Sequence, residues 1–158
     1  MAHLPIFPNL VDLFKKYNTR IISISDAQRK QVPDLNYRRT IYNSVDTDEF
    51  AYSPNADNYV LYVGSIGKNK NPKDAILTAK KAGCRLLIGG RIKDEVYYNE
   101  EIAPYIDGKT IVWIGEQHPK DIVALYQKAK ALLFPTMWDE PFGLVMIEAM
   151  SCGTPVVA

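Results

Sequence analysis

From residue 59 to the end of the chain, short β-rich apolar runs closed by glycine or proline alternate with stretches of helical periodicity. No other feature limits the fold as strongly. Tyr59–Gly64 (YVLYVG), Arg85–Gly90 (RLLIGG), Thr110–Gly115 (TIVWIG) and Ala131–Pro135 (ALLFP) read as strands, and Pro155–Ala158 opens a fifth. Between the first two, KNPKDAILTAKKAG carries Pro72 near its start and Gly83 at its end, with Ala75, Ile76, Ala79 and Ala82 on one helical face. Glu95–Ile106 reads as a helix disturbed in its last turn by Pro104. Pro119–Ala129 puts Ile122, Tyr126 and Ala129 in helical register, and a helix over Pro141–Cys152 closes at Gly153. Strands and helices joined by short loops in this order build a parallel sheet flanked by helices, an α/β fold. Coverage on both faces explains why the strands are continuously apolar rather than alternating. Ligands of such sheets sit beyond the carboxyl ends of the strands, which directs attention to loops 64–71, 89–94, 115–119 and 135–143.

The first 58 residues follow another pattern. Asn9–Tyr17 predicts a short helix, Arg20–Ile24 a strand with Ser25 or Asp26 capping the turn after it, and Thr40–Val45 a second strand. The polar stretch DTDEFAYSPNADN that follows reads as a linker. One helix and two short strands are too little for an independent core. Residues 1–57 are therefore expected to be the tail of a preceding domain plus a hinge, and residues 58–158 a second domain that stops inside a strand.

Charge and cysteine usage exclude several classes. Nineteen basic residues face eighteen acidic ones, so the chain carries no broad electrostatic footprint for nucleic acid. Cys84 and Cys152 show no ligand spacing and read as reduced thiols. His3 and His118 are the only histidines, too few for a zinc site. Asp46-Thr47-Asp48 has the form of a metal-binding pair, but no strand leads into it, and no metal or other cofactor is expected. No apolar run reaches membrane-spanning length, and the N-terminus lacks a basic region ahead of its apolar residues. The expectation is a cytoplasmic protein that could act peripherally at a membrane.

The stretch Glu140-Pro-Phe-Gly-Leu-Val-Met-Ile-Glu148, followed by AMSCGTPVVA, carries the chemistry. Pro141 suits the first position of a helix, where its missing N–H costs nothing. The amides of Phe142, Gly143 and Leu144 would then point out of the helix end and, with the helix dipole, form an anion site suited to a phosphate. Glu148 lies one turn beyond Leu144 on the same face, where a carboxylate can accept hydrogen bonds from a ribose diol. Glu140 sits on the loop before the helix.

These residues resemble the signature of the GT-B fold retaining glycosyltransferases of family 4, the glycosyl transferases group 1. ISISDAQRK, IYNSVDTDEF and YVLYVGSIGKNKNP resemble that family's hinge and first donor-domain loop, in the same order. The resemblance implies a Rossmann-like domain, the C-terminal half of a GT-B fold, with a partial N-terminal segment. It implies a hexosyltransferase that uses a UDP-, GDP- or ADP-linked sugar and a glycan, lipid or small-molecule acceptor, with a complementing N-terminal domain or chain. It assigns catalytic roles to Glu140, near the anomeric carbon, and to Lys70, on the leaving diphosphate. Donor binding falls to Gly64, Ser65, Lys70, Glu116 near the base, the amides of Phe142, Gly143 and Leu144, and Glu148 on the ribose. One position departs from the pattern. Where the family usually has an arginine after the glycine of the first loop, this chain has Ser65, a single neutral hydroxyl in place of a two-pronged cation. Ser65→Arg is therefore expected to tighten nucleoside-diphosphate binding.

Plainer readings compete. Two glutamates near a helix start are commonly surface groups, and the Pro-Phe-Gly insert with its flanks tips the balance toward function. Lys68 and Lys73 read as a solvated face, although Lys68 could compensate for Ser65. Trp113, Trp138 and Cys152 read as packing residues, and His118 as a loop residue. A non-catalytic nucleotide-sugar-binding module that needs a separate acceptor domain is the alternative function. A sugar-nucleotide epimerase or phosphorylase ranks last.

Overall fold

The structure, a computed structural model, describes residue 6 and residues 8–158; His3 lies outside the described residues. The chain divides into two compact units, residues 1–44 with 139–144 and residues 45–138 with 145–158.

The first unit contains helix α1 (Pro8–Lys16), strand β1 (Ile21–Ser23), helix α2 (Asp26–Gln31) and strand β2 (Tyr37–Thr40). The two strands pair in parallel, with Ile21 opposite Tyr37 and Ser23 opposite Thr40. Ile6, Ile21 and Leu35 are buried, with Val11, Phe14, Val32 and Tyr37 packed on them. Two expectations change here. The second strand lies earlier than 40–45, because the register to the three-residue β1 is taken up by Tyr37–Thr40. The turn after β1 is a helix, capped by Ser25, whose Oγ accepts from the Gln28 amide at 2.9 Å.

The second unit contains β3 (Val60–Val63), α3 (Pro72–Ala82), β4 (Leu86–Gly89), α4 (Glu95–Tyr97), β5 (Ile111–Gly115), α5 (Pro119–Lys128), β6 (Leu132–Leu133), α6 (Leu144–Ser151, from Val145 onward) and β7 (Val156–Val157). Its five strands form one parallel sheet in the order β5-β4-β3-β6-β7. The side-chain period of two sends Val60, Tyr62, Leu86 and Ile88 to one face, against Ala75, Ile76 and Ala79 of α3 and the segment containing Tyr97 and Ile102. Tyr59, Leu61, Leu87 and Leu132 go to the other face, against Tyr126 and Ala129 at the end of α5 and Ala149 of α6. This two-sided burial is the predicted cause of the continuous apolar runs.

The helix expected over 95–106 exists as one α-turn, a π-turn at Tyr98–Ile102 and a 3-10 turn at Ala103–Tyr105. Pro104, which cannot donate to the turn before it, lies in the last of these. The presumed linker also differs. Residues 45–57 belong to the second unit. Phe50 packs on Tyr126 with ring centroids 6.3 Å apart, and the Ser53 amide donates to the Cys152 carbonyl at 3.0 Å. Phe50 is thus an apolar anchor inside a polar stretch.

Candidate functional site

Strand order reverses between β3 and β6: β4 and β5 lie on one side of β3, β6 and β7 on the other. At such a switch point, loops leaving neighbouring strands turn to opposite faces and open a crevice beyond the carboxyl ends. The β3 and β4 ends approach closely there. Gly64 donates its amide to the Gly89 carbonyl at 3.0 Å, and a Cβ placed on Gly90, at φ 149°, would lie 1.9 Å from the Gly64 oxygen. Glycine at 90 is thus dictated by backbone contact.

A cavity of about 360 Å³ opens over these ends, in the size range of small-molecule sites. Gly64, Ser65, Glu116 and Glu148, singled out from the sequence, all line it. Arg91, Gln117, Phe50 and Tyr126, which the sequence reading passed over, line it as well. The strand order sets their sequence in space. Ser65 follows β3, Arg91 follows β4 and Glu116 follows β5, so the floor runs outward from the switch point in that order.

Glu148 is held on α6, and its Oε2 accepts a hydrogen bond from the Tyr126 hydroxyl at 2.9 Å. Burial raises the Glu148 carboxyl above its usual range, the Tyr126 hydrogen bond opposes that shift, and the nearby Glu49 charge adds to it. The Tyr126 phenol, itself fully buried, is pushed far up by the same burial and by Glu148.

A second cavity, of about 570 Å³, shares Ser65 with the first and is lined by Lys68, Lys70, Lys93, Asp94 and Trp138. The Lys70 ammonium lies 4.9 Å from the Trp138 ring centroid and 5.7 Å from that of Phe134. The loop after β3 is tied to the loop after β6, since Met137 donates its amide to the Asn69 carbonyl at 3.0 Å. Lys73 pairs with Glu101.

Glu140, Phe142, Gly143 and Leu144 fall in segment 139–144 of the first unit. The helix does not begin at Pro141 as expected but at Leu144. Gly143 stands at φ 82°, off the helical path, and the Pro141 carbonyl accepts from the Ser25 hydroxyl. The Phe142 ring packs on Tyr42 with centroids 6.3 Å apart. The helix's unpaired amides therefore start at Leu144, and those of Phe142 and Gly143 precede it.

Other readings resolve locally. Asp46 Oδ1 accepts from the Asp48 and Glu49 amides at 2.9 and 3.4 Å, which makes it a turn cap. Trp113 donates Nε1 to the Gly90 carbonyl at 3.0 Å, and Cys152 is buried in the core. Among the described residues, no helix is long and apolar enough to cross a membrane.

Arg91 was discoverable, since it lies in loop 89–94, which the strand-end rule selects. Nothing local, however, told it apart from its neighbours. Tyr126 reads as a core residue of α5, and only its depth against α6 reveals the use of its hydroxyl.

A model of the family described as glycosyl transferases group 1 matches residues 45–158. The chain is 30% identical over 120 residues to the O-antigen chain mannosyltransferase RfbU of Salmonella typhimurium, covering 74% of this chain and 34% of that protein. It is 27% identical over 166 residues to the D-inositol 3-phosphate glycosyltransferase of Mycolicibacterium smegmatis, covering 88% and 34%. The chain thus spans about a third of the length of these curated relatives. Among solved structures it is similar to AviGT4, a glycosyltransferase involved in avilamycin A biosynthesis. That similarity has 27% identity and a TM-score of 0.73, over 85% of this chain and 42% of that one. HepE of Anabaena, solved in complex with UDP-glucose, shares the fold at 24% identity and a TM-score of 0.73, over 95% and 48%.

Proposed function

This chain belongs to the glycosyl transferases group 1 family, and from that premise we propose that it is the donor-binding part of a retaining family 4 glycosyltransferase. It moves a sugar from a nucleoside-diphosphate sugar to a glycan, lipid or small-molecule acceptor. The observation that carries this reading is the convergence of Gly64, Ser65, Glu116 and Glu148 on one cavity at the strand ends, with Lys70 on the adjoining one. The names of the similar proteins, a mannosyltransferase and an inositol phosphate glycosyltransferase, support a sugar donor.

In this reading Glu148 accepts hydrogen bonds from the ribose hydroxyls, and Glu116 lies toward the base. Lys70 holds the diphosphate with a charge-assisted hydrogen bond and stabilises it as it leaves. The amides of Phe142, Gly143 and Leu144 hold the same group. Glu140 bonds donor-sugar hydroxyls and offsets positive charge at the anomeric carbon. Retention follows a front-face course in which the departing phosphate takes the acceptor proton, since among the described residues none is a candidate nucleophile for a double displacement. No metal takes part, and the enzyme works in the cytoplasm or at its membrane surface. The acceptor wall comes from a complementing N-terminal domain, without which the chain binds the donor and transfers nothing.

A thermal-shift panel of UDP-, GDP- and ADP-sugars tests the reading, because a ligand that binds only the folded state raises the melting temperature by mass action. At least one should stabilise the chain, and Glu148→Ala should abolish the shift. A flat panel would sink the proposal.

A further inference from the structure

We infer that Arg91 supplies the cationic grip on the donor diphosphate that Ser65 cannot give. The inference rests on the nucleotide-sugar reading above and goes beyond it by assigning a residue that neither the motif nor the resemblance selects.

The argument starts from strand register. β3 and β4 run parallel with Val60 opposite Leu86 and Val63 opposite Gly89, and the same offset recurs past the strand ends at the bridge between Ile66 and Ile92. At that offset Ser65 and Arg91 are neighbours across the pair, about 4.8 Å apart in backbone spacing. Both line the cavity that holds Glu148. A cation removed from position 65 is thus available one strand over, on a side chain long enough to span one strand spacing.

The backbone at this point is fixed. Arg91 accepts the Ile66 amide on its carbonyl at 2.9 Å, and Gly90 donates its amide to Gly115 at 2.8 Å. The guanidinium is not fixed. Arg91 is exposed, and among the described residues nothing hydrogen-bonds or pairs with its side chain. An unpaired planar fork on a rigid stem, beside a site expected to take a phosphate, is the arrangement suited to bidentate phosphate binding. Lys68 is the competing substitute, but it lines only the larger cavity, away from Glu148. Lys70 remains a point charge over Trp138. Arg91 therefore restores the fork and leaves the lysine role untouched.

Calorimetry on the whole chain tests this with UDP, GDP and ADP and with the matching nucleosides. Arg91→Ala should weaken the preferred diphosphate at least tenfold and its nucleoside less than threefold. Arg91→Lys should fall between, because it keeps the charge and loses the fork. Adding Ser65→Arg to Arg91→Ala should recover most of the diphosphate affinity. The ligand-free melting temperature should move little, since the side chain is exposed and, among the described residues, holds no hydrogen bond or ion pair. Equal losses for diphosphate and nucleoside would place Arg91 on the base and overturn the inference, as would unchanged diphosphate affinity or failure of the double variant to recover. If the unaltered chain binds no diphosphate at all, the donor-site reading itself fails, and this inference falls with it.

Discussion

The Tyr126 hydroxyl, fully buried beneath the sheet, donates to Glu148 Oε2 at 2.9 Å, so the carboxylate assigned to the ribose is aimed by a phenol anchored in the core. Tyr126→Phe removes that donor with little change of volume. The expected cost is about 1 kcal/mol of stability, that of one lost hydrogen bond. The Glu148 carboxyl should rise further, because the Tyr126 bond is what opposes the effect of burial. Denaturant melts and a carboxyl titration by NMR read the two effects. A Glu148 titration unmoved by the substitution would show that the phenol does not control this carboxylate.

Glu148→Gln should raise stability near neutral pH while lowering nucleotide affinity. Burial lifts the folded-state carboxyl above its unfolded value. Between those two values the folded chain holds the proton more tightly, so stability falls as pH rises through the window and then levels off. The amide has no charge to desolvate, so the variant should lose that fall. It also loses the charged acceptor proposed for the ribose diol, worth about 1.5–3 kcal/mol, or roughly tenfold to a hundredfold in affinity. Melting temperature against pH, paired with calorimetry, checks both halves. A variant less stable than the parent at neutral pH would contradict the assignment.

The two-sided sheet was legible because its determinants are local. The runs at Val60–Val63 and Leu86–Gly89 are continuously apolar, Pro72 opens α3, and Gly83, at φ 65°, closes it by donating its amide to Ala79 and Lys80. The misreadings arose where a tertiary partner decides the outcome. α6 starts late because Gly143 turns left-handed and the Pro141 carbonyl is claimed by Ser25, more than a hundred residues away. The strand expected at 40–45 moved because its register is set by β1. Gly64, Ser65, Glu116 and Glu148, which the resemblance singled out, line one cavity at the strand ends. Arg91 needed the pairing of β3 with β4, a relationship absent from any contiguous stretch of sequence.

Gly90→Ala should be severely destabilising. Its Cβ would sit 1.9 Å from the Gly64 carbonyl oxygen, and backbone cannot step aside as a flexible side chain can. The sheet ends beneath the cavity would have to separate, at a cost of at least about 3 kcal/mol. Gly83→Ala is the control. That glycine is also left-handed, at φ 65°, but nothing lies within 4 Å of the added carbon, so only the conformational cost of about 1 kcal/mol applies. Equal melting temperatures for the two variants would mean that the close approach of β3 and β4 is not a constraint.

Ser25→Ala should loosen the segment that carries Glu140. The Ser25 hydroxyl works in two directions. It accepts the Gln28 amide at 2.9 Å as the N-cap of α2, and it donates its proton to the Pro141 carbonyl. Losing the cap alone costs about 1 kcal/mol, and a buried carbonyl left without its donor adds about 1–3 kcal/mol. Ser25→Thr keeps both hydrogen bonds and should restore most of the stability, whereas Ser25→Asn can cap the helix but has no hydroxyl to give. Proteolytic cleavage within residues 139–144 should be faster in the alanine variant than in the parent, and the threonine variant should match the parent. Equal cleavage in all variants would show that Ser25 caps its own helix and nothing more.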